Sequence, residues 1–109
     1  MMIRIRETDT FSKFLSGLRD AQARARIAAR VQRLAHGNPG DVRPVGAGIS
    51  ELRVDYGPGY RVYFVQRGSV LIVLLCGGDK RTQDRDIKLA KALLDDLEDE
   101  DDADQNAPV

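Results

Sequence analysis

ELRVDYGPGYRVYF, running from Glu51 to Phe64, decides the fold of this chain. Successive strand side chains point to opposite sides, so Leu52, Val54 and Tyr56 share an apolar face and Glu51, Arg53 and Asp55 a charged one. Gly57-Pro58-Gly59 breaks the alternation with turn residues, and YRVYF resumes it. A hairpin closed by those three residues sets Tyr56 opposite Tyr60, Val54 opposite Val62, Asp55 opposite Arg61 and Arg53 opposite Tyr63. Arg53, Asp55, Arg61 and Tyr63 then lie on one charged face. A bulge in the loop would slip the register by one residue and turn Arg61 against the core.

Downstream, Val70 to Cys76 is continuously apolar and reads as a buried, central strand that ends in Gly77-Gly78-Asp79-Lys80-Arg81. Three adjacent strands thus carry cations to one surface. Taken singly, such residues are a solvated outer face, with Asp55 and Arg61 a cross-strand pair worth under about 1 kcal/mol. Their convergence is what suggests a site.

Upstream, Met2 to Arg6 alternates apolar and basic residues as a short strand does. Phe11, Phe14, Leu15 and Leu18 form a helical stripe, with Thr8, Asp9 or Thr10 available as cap. Asp20 caps a second helix that runs to about His36, burying Ile27, Val31, Leu34, Ala28 and Ala35, with His36 at its C-terminus. Arg19, Arg26, Arg30 and Arg33 fall roughly along one line of that helix, placed to track a phosphate backbone or to meet an acidic partner; most such rows are solvated faces. Val42 to Ile49, interrupted by Pro44, Gly46 and Gly48, reads as an edge strand. From Gln83, the residues Ile87, Ala90, Leu93, Leu94 and Leu97 give a third helix, capped by Thr82. The order is βααββββα, an α+β chain with no internal repeat.

With 109 residues and 42% hydrophobic composition, the chain is large enough for one core. Its single cysteine, Cys76, reads as a small core residue, and its single histidine leaves no His/Cys pattern for a metal. No stretch reads as a signal peptide or membrane span, so a cytoplasmic protein with no membrane partner is expected. The net charge of zero hides an asymmetry, since Met1 to Leu94 carries +8 and Asp95 to Val109 carries −8. A basic body suggests a polyanionic partner such as nucleic acid. Residues 99–109 are expected to form a disordered acidic tail on a domain of residues 1–98, either solubilising or a mimic of RNA that screens the basic face.

DYGPGYRVYF at Asp55–Phe64 and GGDK-x-T-Q at Gly77–Gln83, with the helical hairpin before them, resemble the RelE/ParE superfamily of toxins from type II toxin–antitoxin modules. The match looks specific to the HigB-like addiction module killer subgroup and covers about Ile3 to Leu97. The resemblance implies a small antiparallel sheet packed on an N-terminal helical hairpin, with a C-terminal helix. It also implies a ribosome-dependent mRNA endonuclease needing no metal or other cofactor. The partners it implies are mRNA on the ribosome and a helix-turn-helix, HigA-like antitoxin, with operator DNA reached only through the antitoxin complex.

Carried over by position, Arg53 and Arg61 match the family's basic strand positions, and Lys80 and Arg81 its cationic segment after the last strand. Their implied work is phosphate binding and stabilisation of charge in the transition state. Asp55, Asp79 and Tyr60 or Tyr63 are the candidates for proton transfer. Asp55, Tyr63 and Gly78 are also expected against the RNA, the glycine allowing phosphate close to the main chain, together with Arg26 and Arg30. Several relatives carry a C-terminal Tyr or a His near the scissile phosphate; this chain has no Tyr after Tyr63, which leaves the base unassigned. Two other activities share the fold: inhibition of DNA gyrase by binding, as in ParE, and a degenerate role confined to binding the antitoxin.

Overall fold

Thr8 and Asp20 start the helical hairpin as their side chains dictate. The Thr8 hydroxyl accepts from the Phe11 N–H at 3.0 Å, and the Asp20 carboxylate from the N–H groups of Gln22 and Ala23 at 2.9 and 3.3 Å. Each cap is worth about 1 kcal/mol. The computed structural model describes residues 2–105, with side chains through residue 99. Its elements are β1 (Arg4–Glu7), α1 (Asp9–Gly17), α2 (Ala21–Ala35), β2 (Val42–Gly46), β3 (Ile49–Val54), β4 (Tyr60–Arg67), β5 (Leu71–Asp79), a 3₁₀ turn (Lys80–Thr82) and α3 (Gln83–Gln105). This is the expected α+β order. The expected acidic tail begins inside α3, and its last residues, 106–109, lie outside the described residues.

The sheet order is β1-β5-β4-β3-β2. Four strands are antiparallel, but β1 pairs with β5 in parallel, Arg4 beside Leu71. That departs from an all-antiparallel expectation, and it is possible because α1 and α2 intervene and a parallel neighbour needs a long connection. β5 is paired on both sides, while β4 holds the middle. Alternation then sorts the side chains into two cores. Leu52, Val54, Val62, Phe64, Ile72 and Leu74 pack under α1 and α2 with Phe11, Ile27, Val31 and Leu34. Ile49, Tyr63, Val65, Val73, Leu75 and Cys76 pack under α3 with Ala90, Leu94 and Leu97. On α2, Ala23 is buried and the expected Ala28 is exposed, since the stripe steps back from Ile27 by one turn.

The hairpin register differs from the expected one by two residues. Arg53 pairs with Arg61, Val54 with Tyr60 and Glu51 with Tyr63. Gly57 and Gly59 take φ of 56° and 81°, and the Gly59 N–H donates to the Tyr56 carbonyl at 3.1 Å. The turn therefore consumes Asp55 and Tyr56 as well as Gly57-Pro58-Gly59. A shift of two preserves the face, so Arg61 stays with Arg53 and Glu51, although Asp55 leaves the ladder.

Two glycines let helices dock on both faces at the end of β5. A Cβ on Gly77 would stand 2.3 Å from the Phe14 ring of α1, and one on Gly78 would stand 1.8 Å from the Asp86 carboxylate of α3. Just before them, β5 carries a bulge between its pairings with Tyr63 and Phe64, and the Thr8 hydroxyl donates to the Leu75 carbonyl at 2.6 Å.

Candidate functional site

Arg53 from β3, Arg61 from β4 and Lys80 from the 3₁₀ turn converge on a pocket of about 450 Å³, with Asp41, Asp55 and the loop Gly57-Pro58-Gly59 completing its wall. The β3–β4 ladder sets the two arginines directly opposite, an arrangement that repels unless countercharges intervene. Asp41 stands 3.9 Å from the Arg53 Nε, and Glu51 stands 3.7 Å from the Arg61 Nε. The side chain of Arg61 is only 8% exposed and that of Glu51 1%, so Arg61 lines the pocket with a buried countercharge behind it. Lys80 is exposed, and no ion pair holds it among the described residues.

Glu51 also collects two hydrogen bonds on its other oxygen. The Tyr63 hydroxyl donates to it at 3.0 Å and the Gln83 amide at 2.7 Å. One buried carboxylate thus ties β3, β4 and the first residue of α3 to the guanidinium of Arg61. Arg61 Nη1 donates to its neighbour's carbonyl, Tyr60 O, at 3.3 Å, which steers the guanidinium toward Gly59 at the pocket mouth.

The other expected residues separate into those that reach this surface and those that do not. Tyr63 is completely buried, and burial raises its phenol above the ordinary tyrosine range, so it neither meets RNA nor transfers a proton. Tyr60 packs against the α1–α2 core, on the face opposite Arg61. Gly78 opens no approach for phosphate, because Asp86 and Thr82 fill the space beside its Cα. Asp79 caps the 3₁₀ turn that leads into α3, with the Thr82 hydroxyl completing a capping box on the Asp79 N–H: the Asp79 carboxylate accepts from the Arg81 N–H at 2.8 Å and from the Arg81 guanidinium at 3.1 Å. The bond to the Arg81 guanidinium holds the Asp79 carboxyl below its usual range. A carboxylate so stabilised is a poor proton donor at neutral pH.

Arg81 is exposed and borders a second groove, which runs from Lys80 to Arg85. Arg26 and Arg30 border a third, against α2, which shares Asp55 with the central pocket. Arg30 holds structure there, donating to the carbonyls of Arg53 at 2.7 Å and Pro39 at 3.0 Å. His36 sits at the C-terminus of α2 as expected, its Nδ1 2.8 Å from the Gln32 carbonyl. Cys76 is buried, and burial pushes its thiol up to about 12. Among the described residues, no cluster of three His, Cys, Asp or Glu could hold a metal, and no helix is long and apolar enough to cross a membrane.

Sequence reasoning missed Glu51, Gln83 and Asp86. Glu51 carried a signal, since it alternates onto the face of Arg53; Gln83 ends the GGDK-x-T-Q string; Asp86, an acidic residue in the first turn of α3, looks in sequence like an ordinary helix-start charge.

The profile of the phage-derived Gp49-like protein family matches residues 13–95. The chain belongs to the Gp49-like family. An uncharacterised protein of Haemophilus influenzae is 54% identical over 97 residues, covering 89% of this Gp49-like chain and 98% of that protein. A chain of the toxin–antitoxin complex RelBE2 from Mycobacterium tuberculosis superposes with a TM-score of 0.60 at 19% identity, covering 73% of the present chain and all of that one. The Gp49-like chain therefore has a RelE-like fold. Its matched region contains both Gly57-Pro58-Gly59 and Gly77-Gly78-Asp79-Lys80.

Proposed function

We propose that this chain is the toxin of a type II toxin–antitoxin module, of HigB-like type, that cleaves mRNA on the translating ribosome and is neutralised by a helix-turn-helix antitoxin. The convergence of Arg53, Arg61 and Lys80 on one pocket carries this reading. A scissile phosphate seated there meets forked guanidinium donors and an ammonium group, the donors that stabilise a pentacoordinate phosphorane as its charge develops. Asp55, the pocket carboxylate that no cation holds among the described residues, takes the proton of the ribose 2′-hydroxyl as that oxygen attacks phosphorus. Lys80 protonates the departing 5′-oxygen. The products are a 2′,3′-cyclic phosphate and a 5′-hydroxyl end, so atoms and charge balance without a cofactor.

The test is 5′-end mapping of mRNA in a reconstituted translation reaction, with naked mRNA as control. Wild type should cut only on ribosomes, and Lys80→Ala should lower the cleavage rate by about 10²- to 10³-fold, the usual loss for one transition-state donor. Intact mRNA in the presence of a toxic, folded chain overturns the reading. The burial of Tyr63 and the capping role of Asp79 favour a second reading, inhibition of DNA gyrase by binding, because they remove two proton-transfer candidates. In that case Asp55→Asn leaves toxicity unchanged and supercoiling by gyrase is inhibited in vitro.

A further inference from the structure

The groove against α2 is as basic as the central pocket, yet the reaction proposed above uses none of its arginines. It is lined by Arg26, Arg30 and Arg33 with Ala29, Val54 and Asp55. These arginines recur at helical spacing and so stand along one wall. Arg30 fastens that wall to the end of β3 through the Arg53 carbonyl. Arg26 is held differently: its guanidinium lies 4.6 Å over the Tyr56 ring. The Tyr56 hydroxyl donates to Asp20 Oδ2 at 2.8 Å, so the cap of α2 fixes the ring on which Arg26 rests. A guanidinium resting over an aromatic ring is held in place while its N–H donors stay free for the two oxygens of a phosphate. No carboxylate pairs with Arg26 or Arg33 among the described residues, and both are exposed.

The groove also adjoins the site. Asp55 lines both it and the central pocket, while Lys80 lines both that pocket and the groove leading to Arg85. Eight cations against three carboxylates line the path from Arg33 to Arg85. An acidic peptide could satisfy a lone cluster. A path with the phosphate-binding pocket at its middle suits instead a ligand with regularly spaced anions.

We propose that the α2 groove is a binding subsite for single-stranded polynucleotide, in which Arg26, stacked on Tyr56, and Arg33 take phosphates flanking the one in the central pocket. This rests on the ribonuclease reading for the identity of the strand. It adds that the protein holds several nucleotides on one side of the cut.

The experiment measures the affinity of the full chain for uncleavable 2′-O-methyl oligonucleotides of three and nine nucleotides across a salt series. The double variant Arg26→Ala/Arg33→Ala should bind the trimer as wild type does. On the nonamer it should lose about 1.4 from the slope of log K against log salt, about 0.7 for each phosphate contact removed in a single strand. Tyr56→Leu, which keeps both arginines and removes the platform, should lose part of the nonamer affinity. Thermal unfolding of each variant verifies that the fold is retained. Equal nonamer slopes in wild type and double variant overturn the subsite. Because binding is read without cleavage, a wild type that binds both oligomers with the expected slopes but cuts no mRNA removes the catalytic reading alone. A wild type that binds neither removes both.

Discussion

Arg61 and Lys80 share a pocket but do different work, because one is buried with a countercharge and the other is not. Removing Glu51 strands the Arg61 guanidinium in the interior and leaves Tyr63 and Gln83 without their acceptor. Breaking a buried pair in this way costs about 3–5 kcal/mol. Glu51→Ala should therefore lower the urea midpoint severely, whereas Lys80→Ala should change stability by less than about 0.5 kcal/mol. At this scale the sequence was half legible. Arg53 and Arg61 do meet, since strand alternation fixes which side chains share a face and the two-residue slip preserved that parity, while Asp55 and Lys80 reach the same pocket from the turn and the end of β5. Tyr63 shares the same face but lies farther from the loop, where α3 covers the sheet, and alternation says nothing of what will lie above a face. Asp79 was ambiguous because a carboxylate after two glycines serves equally as a turn cap or a catalyst until its donors are located.

Among the elements, β5 and α3 are joined through missing side chains. Gly78→Ala forces a methyl into the Asp86 carboxylate, which must move the first turn of α3 or the end of β5. Such overpacking costs about 1–3 kcal/mol, and it should also weaken cleavage, since Gln83 in that turn braces Glu51. Gly17 offers the contrast: it ends α1, nothing lies within 4 Å of its would-be Cβ, and Gly17→Ala should raise stability by about 0.4–1 kcal/mol. Denaturant unfolding of the two variants checks both signs. The elements themselves were plain in the sequence, because each helix shows its stripe, β1, β3 and β4 their alternation and β5 its continuous apolar run. The parallel β1–β5 pairing was not, because pairing partners distant in sequence leave no local pattern.

The core under α3 gives the whole molecule an alkaline limit. Burial pushes the Cys76 thiol up to about 12 and raises the Tyr63 phenol. A group whose pKa is raised on folding contributes stability that is complete below its unfolded value and is lost as pH rises through its folded value. For Cys76 that loss begins above about 8.5, the ordinary thiol value. Melting temperature should therefore fall from about pH 8.5 upward in wild type, and in Cys76→Ala the fall should be deferred to about pH 10, where tyrosine ionises in the unfolded chain. An unchanged onset in the variant would show that the thiol is not the cause.

The course of α3 has a consequence for encounter. It starts beside Lys80 and returns along β5 until Leu97 stands near Val73, so Asp95, Asp96, Glu98 and Asp99 lie at the pole opposite the pocket. From Gln83 to Asp99 the axis advances about 24 Å, at about 1.5 Å per residue. The acidic stretch from Asp95 to Asp99 therefore stands away from the pocket. It makes the protein a compass needle: beside a highly phosphorylated surface the negative pole is pushed away while the positive pole is drawn in. The torque presents the pocket before any contact is made, and a neutral protein overall still arrives facing the right way.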